Sequence, residues 1–203
     1  MDAPVADFWF DFASTYSYVA CMRIEACAKE AGVAVRYRPF LLGPIFKAQG
    51  WDTSPFNIYE AKGQYMWRDM ERLCAGLSLP LKRPDPFPQN SLLAARVAIA
   101  ADGEAWREAY CRAVFQAEFG EGRRIDDPDV IGEVLQSVGA PARSMLQLAQ
   151  SDPVKLRLRT ETEAAGRLGI FGAPSFTTPD GELFWGNDRL EAALAFAVAK
   201  ARE

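Results

Sequence analysis

Four hydroxyl-bearing residues in a row, Ser14-Thr15-Tyr16-Ser17, are the part of this chain best suited to chemistry. They follow Phe8, Phe10 and Phe12, which alternate with Trp9 and Asp11 at the period of a strand. Ser14 and Thr15 then supply N-cap chemistry for a helix. A hydroxyl at such a junction lies beside unpaired backbone N–H groups and the positive end of a helix dipole, a place to hold an anion. The chain contains no histidine, which removes His-based triads, histidine general bases and most catalytic zinc sites. With no base to activate it, a serine here acts as a hydrogen-bond donor and not as a nucleophile. Cys21, Cys27, Cys74 and Cys111 form no C-x-x-C pair and read as reduced thiols in helices.

The elements that must position these hydroxyls follow from the rest of the chain. Its 203 residues are 49% hydrophobic and 12% aromatic, enough for one domain or one domain with a large insertion. The net charge of -4, with no Lys/Arg run, argues against nucleic acid or anionic membrane as partners. No basic start with a long apolar core opens the chain, and no apolar run would span a bilayer, so a cytoplasmic protein is expected.

A helix from Ser17 to about Ala31, closed by Gly32, leads to a second strand in which Val33, Val35 and Tyr37 alternate with Arg36 and Arg38. A right-handed crossover would make the two strands parallel. LLGPIFKAQGW reads as a loop that can include a helical turn. Ser54-Pro55 starts a helix expected to reach about Leu77, and four prolines from Pro80 to Pro88 make an extended connection. Asn90 or Ser91 caps the apolar helix SLLAARVAIAA, and further helices are expected over 104–118, 127–138 and 142–150. A charged helix follows Asp152-Pro153, with Arg157–Glu161 and Arg159–Glu163 spaced as supporting pairs on a solvated face. Ala173–Thr178, a Pro179-Asp180-Gly181 turn and Glu182–Trp185 form a hairpin, and Asn187 or Asp188 caps the last helix. The order β-α-β, helical block, α-β-β-α predicts one sheet from residues 1–41 and 152–203, with 42–151 as an inserted all-helical domain.

This order, with a proline opening the third strand, resembles the thioredoxin fold, with serine where that fold's nucleophilic cysteine stands. D-F-x-S-x-Y-S-Y at 11–18, Lys62-Gly63-x-Tyr65-Met66-x-x-Asp69, Phe171-Gly172-Ala173-Pro174 and Trp185-Gly186-Asn187-Asp188-Arg189-Leu190 together resemble the 2-hydroxychromene-2-carboxylate isomerase family. Those enzymes are relatives of kappa-class glutathione transferases within the DsbA-like superfamily. The resemblance spans essentially the whole chain. It implies an α/β thioredoxin-like fold with a large helical insertion, glutathione as cofactor, a small aromatic substrate and a homodimer. Carried over, the thiolate-stabilising serine is Ser14, and Thr15 replaces the family's proline, capping the helix itself or adding a second hydroxyl. The resemblance also implies a cis peptide at Ala173-Pro174, turning the Ala173 backbone outward to pair with glutathione's cysteinyl main chain. Asn187 and Asp188 would meet the γ-glutamyl group, and Lys62 a carboxylate of glutathione or substrate. Thr53 and Asn57 both remain candidates for one further contact. Trp51, Phe56, Tyr65, Trp67, Phe87 and Trp185 are expected mostly in the core, with one or two lining a pocket.

The reaction so implied interconverts 2-hydroxychromene-2-carboxylate and trans-o-hydroxybenzylidenepyruvate without consuming glutathione. The rivals are a kappa-like transferase or peroxidase that consumes it, a thiol–disulfide oxidoreductase, which the missing C-x-x-C disfavours, and a non-catalytic glutathione-binding protein.

Overall fold

The computed structural model describes residues 3–202. A four-stranded sheet has the order β2-β1-β3-β4, built from β1 Val5–Phe10, β2 Ala34–Pro39, β3 Ser175–Thr177 and β4 Leu183–Trp185. β1 pairs parallel with β2 (Phe8 opposite Tyr37) and antiparallel with β3 (Phe8 opposite Phe176), and β3–β4 is the expected antiparallel hairpin. The central strand is buried on both faces. Phe8 and Phe10 stack on each other at 5.0 Å on one side. Trp9 faces the other, edge-on to Phe40 at 6.3 Å, with its indole N–H donating to Thr177 Oγ1 at 2.9 Å. That two-sided burial explains why β1 reads as a nearly continuous aromatic run.

Helix α1 (Thr15–Ala31) crosses from β1 to β2 and ends on Gly32, whose φ of 69° is the left-handed cap conformation. The expected loop after β2 is instead a helix, α2 (Leu42–Ala48). Pro44 falls within its first turn, where no N–H is needed, so it is compatible with a helix. The single helix expected over 55–77 is two: α3 (Pro55–Ile58), with Ser54 Oγ accepting from Phe56 N at 3.3 Å, and α4 (Glu60–Leu77). The break falls at Tyr59, whose ψ of 97° is extended. The N-cap of α5 (Leu92–Ala100) is Ser91, which makes no side-chain cap bond, while Asn90 just before it accepts from Leu92 N through Oδ1 at 3.0 Å. α6 (Arg107–Phe115) runs into a π-helical turn, Gln116–Gly120, followed by α7 (Pro128–Ser137), α8 (Ala142–Leu148) and α9 (Asp152–Arg167). The final helix, α10 (Leu190–Lys200), is preceded by a 3-10 turn at Asn187–Arg189, and neither Asn187 nor Asp188 caps it with a side chain.

Within the segment 42–151, Phe115 packs on Phe10 at 5.9 Å and on Phe12 at 5.0 Å, so helices and sheet share one hydrophobic core. The charges of α9 divide differently from expectation. Arg159–Glu163 pairs along the helix at 2.8 Å. Arg157 instead reaches Asp102 at 2.6 Å and Glu161 reaches Arg38 at 2.9 Å, because α9 packs against β2 and α5 and those partners lie closer than solvent.

Close packing of α3 on α4 depends on Gly63, where an added Cβ would lie 2.3 Å from the Phe56 carbonyl oxygen. Gly63→Ala is expected to lower stability by about 1–3 kcal/mol through backbone overpacking. Gly76→Ala on the same helix meets nothing within 4 Å and should be neutral or stabilising by up to about 1 kcal/mol. Urea unfolding midpoints of the two variants check these opposite signs.

Candidate functional site

Ser14 is the N-cap of α1, with φ −95° and ψ 117°. Its Oγ accepts from Ser17 N at 3.2 Å and donates to the carbonyl oxygen of Ala173 at 2.9 Å, a contact between residues 159 positions apart. The Ala173-Pro174 peptide is cis. The Ala173 carbonyl is therefore bonded to Ser14 and is not simply turned outward as expected. The Thr15 hydroxyl is buried against Met66 Sδ at 3.2 Å, so it neither caps the helix nor stands in for Ser14. Ser14 already has the extended backbone that a following proline demands, so the helix start keeps the same form with threonine in that place.

These groups open onto a cavity of about 1390 Å³, and Lys62, Ala173, Pro174, Asn187 and Asp188 stand in its wall with Ser14. All six candidates from the sequence thus meet at one site. Asn187 is buried, its Oδ1 accepting from Arg23 Nη1 at 3.0 Å. Asp188 is exposed, 3.5 Å from Arg189, and one of its oxygens lies where a Cβ on Gly186 would sit, 2.5 Å away. Gly186 has a φ of 112°, so this turn requires glycine twice over. Lys62 is exposed, with Nζ 4.7 Å from the Tyr59 ring centroid. It shares a face of α4 with Tyr65, Asp69 and Leu73, all in the cavity wall. Of the remaining pair, Thr53 lines the cavity, while the Asn57 amide ties it to the Phe87 carbonyl, with 3.3 Å to each.

The aromatic residues correct the expectation. None of Trp51, Phe56, Tyr65, Trp67, Phe87 or Trp185 is fully buried, and all but Trp67 line the cavity. Tyr65 and Trp185 are 64% and 53% exposed. Their placement among turn-forming and polar residues was the sequence signal for this.

Two groups near Ser14, named in the sequence only within its motif, were given no role of their own there. The Tyr16 hydroxyl donates to Asp69 Oδ2 at 3.0 Å, and desolvation together with that carboxylate pushes it well above the ordinary tyrosine range. Asp11 is buried, its Oδ1 accepting from Ala13 N at 3.0 Å and Oδ2 from Leu42 N at 2.7 Å. Desolvation raises its pKa against the pull of these bonds. The chain's own thiols are poor thiolates: burial pushes Cys74 up to about 11 and Cys111 up to about 12. Among the described residues no cluster of His, Cys, Asp and Glu could hold a metal ion, and no helix is long and apolar enough to cross a membrane.

The family model for the DSBA-like thioredoxin domain matches residues 5–196. The chain belongs to the DsbA-like thioredoxin family. It is 31% identical over 186 residues to a 2-hydroxychromene-2-carboxylate isomerase of Sphingobium xenophagum, covering 91% of this chain and 93% of that relative. It is also 27% identical to glutathione S-transferase kappa 1 of Homo sapiens over 91% of this chain and 87% of that one. A solved structure of a selenomethionine 2-hydroxychromene-2-carboxylate isomerase superposes with a TM-score of 0.86 at 29% identity, covering 98% of this chain and 96% of that one. Within the DsbA-like class, this chain is a member of the 2-hydroxychromene-2-carboxylate isomerase family.

Glu118, in the π-helical turn, is 0% exposed and neither carboxyl oxygen has a hydrogen-bond partner among the described residues. Desolvation first, then the carboxylates of Asp11 and Asp126, raise its pKa well above the ordinary 4.5. Between that value and the raised native one, the folded chain holds a proton the unfolded chain releases, so this group makes stability fall as pH rises. Glu118→Gln should remove that slope, so its stability advantage over the wild type grows as pH rises above about 4.5. Urea titrations at several pH values measure it.

Proposed function

We propose that this protein is a glutathione-dependent isomerase acting on 2-hydroxychromene-2-carboxylate and trans-o-hydroxybenzylidenepyruvate, or on a closely related aromatic acid. The observation that carries the reading is the Ser14 hydroxyl at a helix N-terminus, bonded to the Ala173 carbonyl in the wall of a cavity with room for two ligands.

The residues fit glutathione. A free thiol has a pKa near 8.5, so a site that uses its anion must favour the charged form. The Ser14 O–H and the positive end of α1 both do so, each worth on the order of 1 kcal/mol. A hydroxyl has one proton to donate. To serve a thiolate, Ser14 must release Ala173, whose freed carbonyl then accepts an N–H from the ligand backbone. Glutathione held there would supply a thiolate for reversible addition to a conjugated enone, the chemistry that permits cis–trans isomerisation without consuming the thiol. Lys62 holds a carboxylate at the mouth of the cavity, Asn187 and Asp188 receive the γ-glutamyl end, and Trp51, Phe56, Phe87 and Trp185 enclose the aromatic ring and exclude water.

The kappa-class relatives support one alternative, a transferase or peroxidase using the same site. Counting free thiol during turnover separates the two: the isomerase keeps it constant, whereas a transferase consumes one per product. Ser14→Ala should fold with about 1 kcal/mol less stability from the lost cap and lose roughly 10²-fold in kcat. Undiminished turnover in that variant contradicts the reading. We also propose that the protein is a cytoplasmic homodimer, which sedimentation showing monomer alone would contradict.

A further inference from the structure

Asp11 lies three residues before Ser14 and makes no ion pair among the described residues, yet it is 4% exposed in the wall of the cavity. Its bonds account for its place. The main-chain carbonyl of Asp11 accepts from Ser14 N at 3.0 Å, closing the turn that ends β1. Its side chain accepts from Ala13 N within the same turn, and from Leu42 N at the start of α2. Leu41, at the N-cap of α2, has no side-chain oxygen to do this itself. The Ser91 hydroxyl, at the start of α5, lies near enough to the same carboxyl to favour its charged form. One carboxylate thus ties the Ser14 turn to two helices that wall the cavity. Its neighbour Glu118 has no hydrogen-bond partner among the described residues, whereas two backbone N–H groups favour the charged form of Asp11.

We propose that Asp11 is a positioning residue for Ser14: by clamping Ala13, Leu42 and Ser91 together it aims the Ser14 hydroxyl at the spot between α1 and Ala173 where a thiolate is held. The proposal deepens, and rests on, the reading of Ser14 as a thiolate donor. Asparagine cannot replace the clamp, because its NH₂ accepts nothing and one of the two backbone N–H bonds is lost.

The test is ultraviolet titration of the thiolate absorbance of reduced glutathione bound to the full chain, in wild type, Asp11→Asn and Ser91→Ala. The wild type should hold the thiol below its free value. Asp11→Asn should raise the bound thiol pKa, with kcat falling more than KM rises; loss of a nearby carboxylate charge alone would lower that pKa, so a rise reports lost positioning of the Ser14 hydroxyl. Ser91→Ala, which removes one donor and leaves both backbone bonds, should raise it less and in the same direction, and it decides the matter if Asp11→Asn does not fold. A lowered wild-type pKa that both variants retain overturns this inference alone. An unperturbed thiol in the wild type overturns the thiolate reading and this inference with it.

Discussion

One hydrogen bond, from Ser14 Oγ to the Ala173 carbonyl at 2.9 Å, joins the first helix to the turn before the third strand. Everything that lines the cavity is placed relative to it. The β1–β3 pairing brings the two segments side by side, and the two-sided burial of β1 keeps them there. The same hydroxyl also caps α1 by accepting from Ser17 N. Its lone pairs and its single proton therefore have separate partners. A ligand anion competes only for the proton, so the helix cap persists while the Ala173 contact is exchanged.

The absence of histidine shapes the remaining electrostatics. No described group near Ser14 is suited to take its proton at neutral pH: Asp11 is engaged by backbone N–H groups, burial pushes the Glu118 carboxyl well up, and the Tyr16 hydroxyl keeps its proton while donating a hydrogen bond to Asp69. A site of this kind stabilises an anion brought to it and does not generate a nucleophile from its own serine. The chain's cysteines reinforce the point, since burial keeps them as thiols.

Much of this was legible in the sequence because it depends on local pattern. Alternating Phe8 and Phe10 marked β1, Gly32 marked the end of α1, and Ala173-Pro174 marked the turn facing Ser14. The misreadings came from tertiary context. The stretch after Phe40 read as a loop, but Leu42–Ala48 is a helix whose first turn tolerates Pro44. Arg157 and Glu161 have the spacing of a helix pair, yet each found a partner across the fold. Trp51, Phe56, Tyr65 and Phe87 looked like core by residue type and stand instead in the cavity wall, Phe56 and Phe87 with one side still packed on the core. Asp11 was visible as part of a motif, but its partners, Leu42 and Ser91, lie 31 and 80 positions away and carry no sequence signal pointing back to it.

The most direct test of the account is a crystal structure of the protein with reduced glutathione. The account predicts the sulfur within hydrogen-bond distance of Ser14 Oγ, the Ser14–Ala173 bond opened, and the Ala173 carbonyl accepting the cysteinyl N–H. Glutathione bound elsewhere in the cavity, with Ser14 still donating to Ala173, would contradict it.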